Sequence, residues 1–283
     1  MSLEITLAVL LAALLHASWN AMIKGGSDVL LDTAAIVFGA GILAVPFLWI
    51  VPLPSAASWP YIFASIATHL AYYFLMVNAY RTGELSLVYP LMRGVAPLIT
   101  ALLGIIWLRE LPVPISWLGM LMISIGVIAL ALRPKGNAPV ILGHGRAVSF
   151  ALGNAAVIAV YTIIDGTGAR LAGNPWAYIV WLFVLDAIPF SIYMLVTRKR
   201  AFVTELADRR WHGLIGGGLS AGAYAISVWA MTKAPVALVA SLRETSVLFA
   251  TLIGARLLKE KLTPRRWAGV GAVVIGVVAL KAT

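Results

Sequence analysis

Arg243 and Glu244 stand side by side in SLRETSVLFATLIGARLLKE (241–260), a stretch otherwise fit for hydrocarbon. A charge at the centre of a membrane helix costs about 3 kcal/mol even on lenient scales, so such groups face the protein interior or water and mark function. An arginine can meet a carboxylate and a glutamate an ammonium, so the pair suits a zwitterion. Three other groups raise the same question. His69 lies near the middle of an apolar run, where an unpaired imidazole is unwelcome. Asp186, just before Pro189, lies mid-run and is expected to hydrogen-bond a neighbouring helix or to be protonated, and it is the first suspect for proton coupling. Asp165 falls at the end of its run and is expected near water. One enzyme signal is present: GLSAG (218–222) fits the G-x-S-x-G nucleophile pattern. That motif works at a strand-to-helix turn, whereas here it sits in the Gly-rich run GGGLSAGA, where small residues serve helix packing. An intramembrane serine protease pairing Ser220 with His16 or His69 is the remote alternative, and the chain is read as no enzyme.

The elements that must hold these residues follow from composition. Of 283 residues, 61% are hydrophobic and 11% charged, and mean hydropathy is +0.96. Soluble domains are about half apolar and a quarter charged, so this is a membrane composition. Cysteine is absent, which excludes disulfides, thiol catalysis and cysteine-bound metals. No zinc-site spacing, P-loop or dinucleotide fingerprint appears, so no cofactor is expected. The net charge of +10 does not point to nucleic acid, because the basic residues lie between apolar runs rather than on a polar domain. The first run lacks a basic leader and carries Glu4, and is read as a retained span.

Windows of about twenty apolar residues can cross a bilayer as helices. They fall at 3–23, 31–51, 58–80, 86–108, 115–132, 146–165, 175–196, 211–232, 236–258 and 265–281, with TRKRAFVTELADRR (197–210) the longest polar connection. Basic residues crowd the odd-numbered connections, most densely around Arg198–Arg200 and Lys259–Arg266. Even connections and termini hold only Arg109, Arg170, Lys233 and Lys281. The positive-inside rule then puts the odd connections in the cytoplasm and both termini in the periplasm.

Sliding the chain by 150 residues lays LMRGVAPLITALLGIIWLRELPVPISWLGMLMISIGVIAL (91–130) over SLRETSVLFATLIGARLLKEKLTPRRWAGVGAVVIGVVAL (241–280) without a gap. Arg93 meets Arg243, Gly104 Gly254, Glu110 Glu260, Pro114 Pro264, Trp117 Trp267, Gly119 Gly269 and Gly126 Gly276. The fourth and fifth spans thus repeat as the ninth and tenth. Five is odd, so the halves cross in opposite directions, the inverted repeat of many secondary transporters. The halves are set at 1–135 and 146–283, with a linker at 136–145. Two readings fit Arg93 and Arg243: ion pairs or snorkelling that orient the helix, or polar groups that meet a substrate's charged ends.

These residues resemble the drug/metabolite transporter superfamily of the ten-helix EamA type over the whole chain. The likeness rests on LLHASWNAMIKGG, AVIAVYTIIDGTGA, and the run from Pro97-Leu98 through Leu108-Arg109-Glu110 to Trp117, Gly119 and Gly126. The second copy departs in having Val247 for Pro97. Within the family the chain is most similar to YddG-like amino-acid exporters. The resemblance implies an all-α fold of ten transmembrane helices in two inverted five-helix repeats. It also implies a central cavity lined by the first, third, fourth, sixth, eighth and ninth spans, the fifth and tenth being peripheral.

The third span carries His69, Tyr72, Tyr73, Met76 and Tyr80 on one face. The first adds His16, Trp19 and Asn20, the sixth Asn154 and Tyr161, the eighth Tyr224 and Trp229. An aromatic stripe is more often packing or an interfacial belt than a site. Together with Arg93, Arg243 and Glu244 they form the expected lining for a zwitterion with an apolar side chain. The reading is a monomeric exporter of neutral, aromatic or bulky amino acids in the bacterial inner membrane, with the lipid bilayer as its surroundings. The alternative cargo is another metabolite or a cationic drug. A phosphorylated cargo demands more basic residues than these two arginines.

Overall fold

Hydrocarbon offers no partner to a backbone N–H or C=O, so each apolar run closes its hydrogen bonds within itself as a helix. The computed structural model describes residues 1–24, 28–83, 85–131, 145–258 and 264–282, and those residues are helical with short connections and no strand. The helices are α1 (Leu3–Lys24), α2 (Val29–Ala44), α3 (Trp59–Thr82), α4 (Leu85–Leu103), α5 (Pro114–Ala131), α6 (Gly145–Leu171), α7 (Pro175–Asp208), α8 (Arg210–Met231), α9 (Val236–Arg243), α10 (Ser246–Leu258) and α11 (Pro264–Lys281). Eight helical stretches are long and apolar enough to cross a membrane, and α5 is a shorter apolar helix. With α11 they make the ten crossings of this all-helical membrane fold, α9 and α10 sharing one.

Four boundaries differ from the sequence reading, each for a physical reason. The second span leaves the α-helix at Ala44, where Pro46 turns it into a 3-10 turn (Val45–Trp49). The sixth runs on to Leu171 and carries Asp165 inward. The polar stretch after 196 is not a loop: α7 continues through it to Asp208, bent at Arg198, whose φ of −141° leaves the helix. Its Phe202 is buried against Ala34, Phe190 and Met194, so an apolar face hides inside a charged stretch. Finally, the ninth span is two helices. Backbone bonds tighten to i→i+3 across Ser241–Leu248, and Glu244 and Thr245 sit in the break. A tightened turn within a helix marks a hinge. The linker expected at 136–145 lies outside the described residues except for Gly145.

The seam between α5 and α11 is built from glycine. A Cβ on Gly126 would stand 2.8 Å from the Gly269 carbonyl oxygen, and one on Gly276 2.7 Å from that of Gly119. Backbones this close need small residues. The contacts also obey the 150-residue register: exchanging Gly119 with Gly269 and Gly126 with Gly276 turns one contact into the other. That is the signature of a twofold axis through the seam. Similar close approaches join α2 to α8, where Gly39 faces Gly213 and Gly217 faces the α2 backbone. The glycines of GGGLSAGA therefore include packing residues. Ser220 lies within an unbroken helix, with no strand-to-helix turn to expose it.

Candidate functional site

The second half of α1, the first turns of α2, the second half of α3 and the first halves of α4 and α6 meet around a cavity at the odd-connection end of the bundle. Trp19, Asn20, Tyr73, Met76, Tyr80 and Arg93 line it, joined by His16, Tyr72, Tyr89, Met92, Asn154 and Ile158. Val29 and Thr33 add a wall from α2, a span absent from the expected set, while α5 and α11 contribute none and neither do the expected eighth and ninth spans. The wall is aromatic with a few polar tips. His16 and Trp19 meet edge to face at 5.1 Å. The Tyr73 ring stacks on Phe190 at 4.6 Å. Asn154 donates to Met92 Sδ, but its Oδ1 has no partner, and neither does Trp19 Nε1. Buried polar atoms are ordinarily paired, so this wall offers one acceptor and one donor to whatever enters.

Arg93 lines the cavity and Arg243 does not, and the two arginines have different surroundings. Arg93 Nε lies 2.8 Å from Glu244 Oε2, and its Nη2 donates to Ser246 Oγ at 3.4 Å. The Nε–H is poorly aligned on the carboxylate, which makes the contact more an ion pair than a directed hydrogen bond. All three side chains are buried, and the pair joins α4 to the break between α9 and α10. Arg243 is equally buried, yet among the described residues no carboxylate lies within ion-pair reach of it. Its guanidinium instead rests over the Tyr224 ring, 5.3 Å from the centroid.

Behind that ring lies a second polar cluster, the part of the site that span-edge reasoning missed. Tyr224 and Tyr178 each donate to the fully buried Asp165, Tyr178 at 2.7 Å. His69 stands between two carboxylates, its Nδ1 3.2 Å from Asp186 Oδ1 and its Nε2 4.0 Å from Asp165 Oδ2. Asp165 is therefore not near water, and Asp186 does bond a neighbouring helix. Tyr161 touches His69 at 4.7 Å, Tyr72 at 6.1 Å and Tyr224 at 6.3 Å, linking this cluster to the cavity wall. Trp229 stands apart, packed between two apolar clusters that include Met231 and Val239 on one side and Ile62 and Val228 on the other. Ser220 has no hydrogen bond to a histidine among the described residues. The signal that could have found Asp165 was the rarity of carboxylates in apolar helices, read without trusting the span boundary.

The even-connection end is shut. Glu110 accepts from Val236 N at the start of α9 (2.8 Å) and pairs with Arg170 at 2.7 Å. Arg170 also donates to the carbonyls of Met231 and Ala234 at the end of α8. Beneath this lies a dry layer of Val9, Ile163, Met231, Val236, Val239 and Leu242. Ser55 ties the second connection to Leu171 and Ala172. At the odd end, ligand atoms of Asp32, Glu205 and His212 lie within 4.8 Å of one another. Arg209 Nη1 already bridges Asp32 at 2.7 Å and Glu205 at 2.8 Å, so a guanidinium supplies the cation there.

Comparison with known proteins follows the same lines. The sequence pattern of the EamA-like transporter family matches residues 3–132 and again 145–281. No curated protein matches this chain. One solved crystal structure superposes with a TM-score of 0.74 at 17% identity, covering 98% of this chain and 94% of the other, a likeness of fold.

Proposed function

The chain belongs to the EamA-like transporter family, and from that premise we propose that it exports neutral amino acids with aromatic or bulky side chains. Members of this family are multi-pass membrane transporters of small molecules rather than enzymes, and this chain is one. In our reading the two halves, 1–135 and 146–283, rock about the α5–α11 seam. The odd connections lie in the cytoplasm of a bacterial inner-membrane protein, so the cavity faces inward and Glu110–Arg170 closes the periplasmic side.

One observation carries the choice of cargo: of two equivalent buried arginines, one is paired with Glu244, and the other rests on a ring with no carboxylate within ion-pair reach among the described residues. Arg243 is suited to take a carboxylate, in the forked geometry guanidinium prefers. The poorly aligned Arg93–Glu244 pair leaves Glu244 with lone pairs for an ammonium. Asn154 Oδ1 and Trp19 Nε1 supply further hydrogen bonds, and Tyr72, Tyr73, Met76 and Tyr80 an apolar slot, with Tyr161 behind Tyr72. A zwitterion uses all of these. A cationic drug leaves Arg243 unanswered, and a phosphorylated cargo overmatches it.

The test is counterflow in liposomes with labelled phenylalanine, methionine and threonine, with choline and a nucleotide-sugar as controls. Counterflow needs no imposed gradient, so the coupling ion need not be known. Saturable exchange of phenylalanine or methionine, lost in Arg243→Ala, is the expected result. Exchange of choline alone would replace the cargo with a cation.

A further inference from the structure

Six ionisable groups share the interior of the bundle between the cavity and the sealed end: Arg93, Arg243, His69, Asp165, Asp186 and Glu244. Two arginines against three carboxylates leave one negative charge. Uncompensated charge away from water is expensive, costing several kcal/mol even after relaxation. One bound proton closes the sum, and of the groups able to hold it His69 is the one set between two carboxylates. Its position fits that charge, since the imidazole has a carboxylate oxygen near each ring nitrogen, at 3.2 and 4.0 Å.

We propose that His69, Asp165 and Asp186 form a proton-binding site, and that the hydrogen on His69 Nε2 is the one exchanged during transport. The two contacts divide the work. Nδ1–H donates to Asp186 Oδ1 at hydrogen-bond distance and stays in both forms. Nε2 faces Asp165, whose two oxygens already accept from Tyr178 and Tyr224, so Asp165 keeps its hydrogen bonds when the Nε2 proton departs. The proton leaves to water, the imidazole becomes neutral, and the negative charge left behind must be offset. Arg243, resting on the ring of the same Tyr224 that bonds Asp165, is already counted in the sum. A positively charged group of the cargo is the remaining source, so cargo and proton compete.

The groups facing the site are few. From α6 comes Tyr161, from α8 Tyr224, from α7 Tyr178 and Asp186, from α9 Arg243, while Tyr73 on α3 stacks against Phe190 of α7. None but Arg243 competes as a cation. A metal ion suits the place less well, because the imidazole fills the space between the carboxylates and the tyrosine hydroxyls are spent as donors to Asp165. The His69 and Asp186 side chains keep 13% and 12% of their surface exposed and Asp165 none, so of the three groups Asp165 is the one wholly enclosed.

Two measurements on the purified full chain in lipid nanodiscs test this. Nitrogen NMR of 15N-histidine protein, with His69→Gln to assign the signal, reads the protonation state directly. Both ring nitrogens of His69 should carry hydrogen at pH 7, and Asp186→Asn should leave only one that does. A neutral His69 in the unsubstituted protein, or a signal indifferent to Asp186→Asn, would overturn the site. The second measurement adds phenylalanine or choline in weak buffer with a pH dye. About one proton released per molecule bound is expected, and binding of either without release would overturn the exchange. The competition holds for any cationic group, so it does not rest on an amino-acid cargo. If phenylalanine is silent while choline releases protons, the amino-acid reading fails and the proton site stands. If neither binds, the NMR result decides alone.

Discussion

Helix α4 and the pair α9–α10 are matching copies in the repeat and end in different structures. Arg93 and Arg243 occupy one register position, yet α4 runs unbroken through Pro90 and Pro97 while its counterpart breaks right after Arg243. The neighbours explain the difference. Gly94 answers to Glu244, and Ala96 to Ser246. Thus Arg93 reaches across to a carboxylate and a hydroxyl in the other half, whereas the equivalent positions offer Arg243 only a glycine and an alanine. It settles on an aromatic ring instead. The α5–α11 seam shows no such departure, because its glycines recur in both copies and the contacts exchange under the register. Symmetry is kept along the α5–α11 seam and lost at the two arginines.

Perturbations of this contrast can be ranked. Arg93→Ala strands Glu244 in the interior, and breaking a buried pair from one side costs about 3–5 kcal/mol. Thermal unfolding in detergent should show a large loss, and Arg93→Met with Glu244→Leu should recover most of it without recovering transport. If the single and double variants melt alike, the pair is not what holds α4 to the break. The seam comes next. Gly126→Leu and Gly276→Leu occupy exchanged positions and each should lose about 1–3 kcal/mol, the range for overpacking a tight interface. Equal losses sharpen the twofold reading, and a loss confined to one half breaks it. Smallest is Arg243→Lys, which keeps the charge but gives up the fork and the planar contact with Tyr224. Lysine can keep its charge over the ring, so melting changes little, while loss of the fork to a cargo carboxylate predicts counterflow down by roughly tenfold. Unchanged counterflow would mean that Arg243 only orients its helix.

Much of this was legible because lipid imposes simple rules. Apolar runs gave the ten crossings, and the gapless 150-residue register matched Gly119 and Gly126 to Gly269 and Gly276, the glycines that build the seam. The cavity wall was readable where residues share one helix face, as with Tyr73, Met76 and Tyr80. What joins separate helices was not readable. The His69–Asp186 contact spans 117 residues of chain, and no local pattern announces it. Asp165 was misplaced because hydropathy fades before the helix ends, so a span edge drawn at 165 put a buried carboxylate in water. Trp229 looks like a cavity aromatic in sequence, and only packing between two apolar clusters sets it apart. The break at Glu244 hides in a run whose composition is helical throughout.

The account rests on a bundle open at one end and sealed at the other, able to exchange the two. The chain contains no cysteine, so a single introduced thiol reports its own exposure. Ile23 lines the cavity, and Ile163 lies in the dry layer beneath Glu110 and Arg170. With a water-soluble thiol reagent, Ile23→Cys should react and Ile163→Cys should not. Adding Glu110→Gln, which weakens the ion pair to Arg170 and the hold on the start of α9, should reverse the trend, with Ile163→Cys gaining reactivity as Ile23→Cys loses it. Rates that rise together, or do not move at all, would contradict alternation between two closed ends.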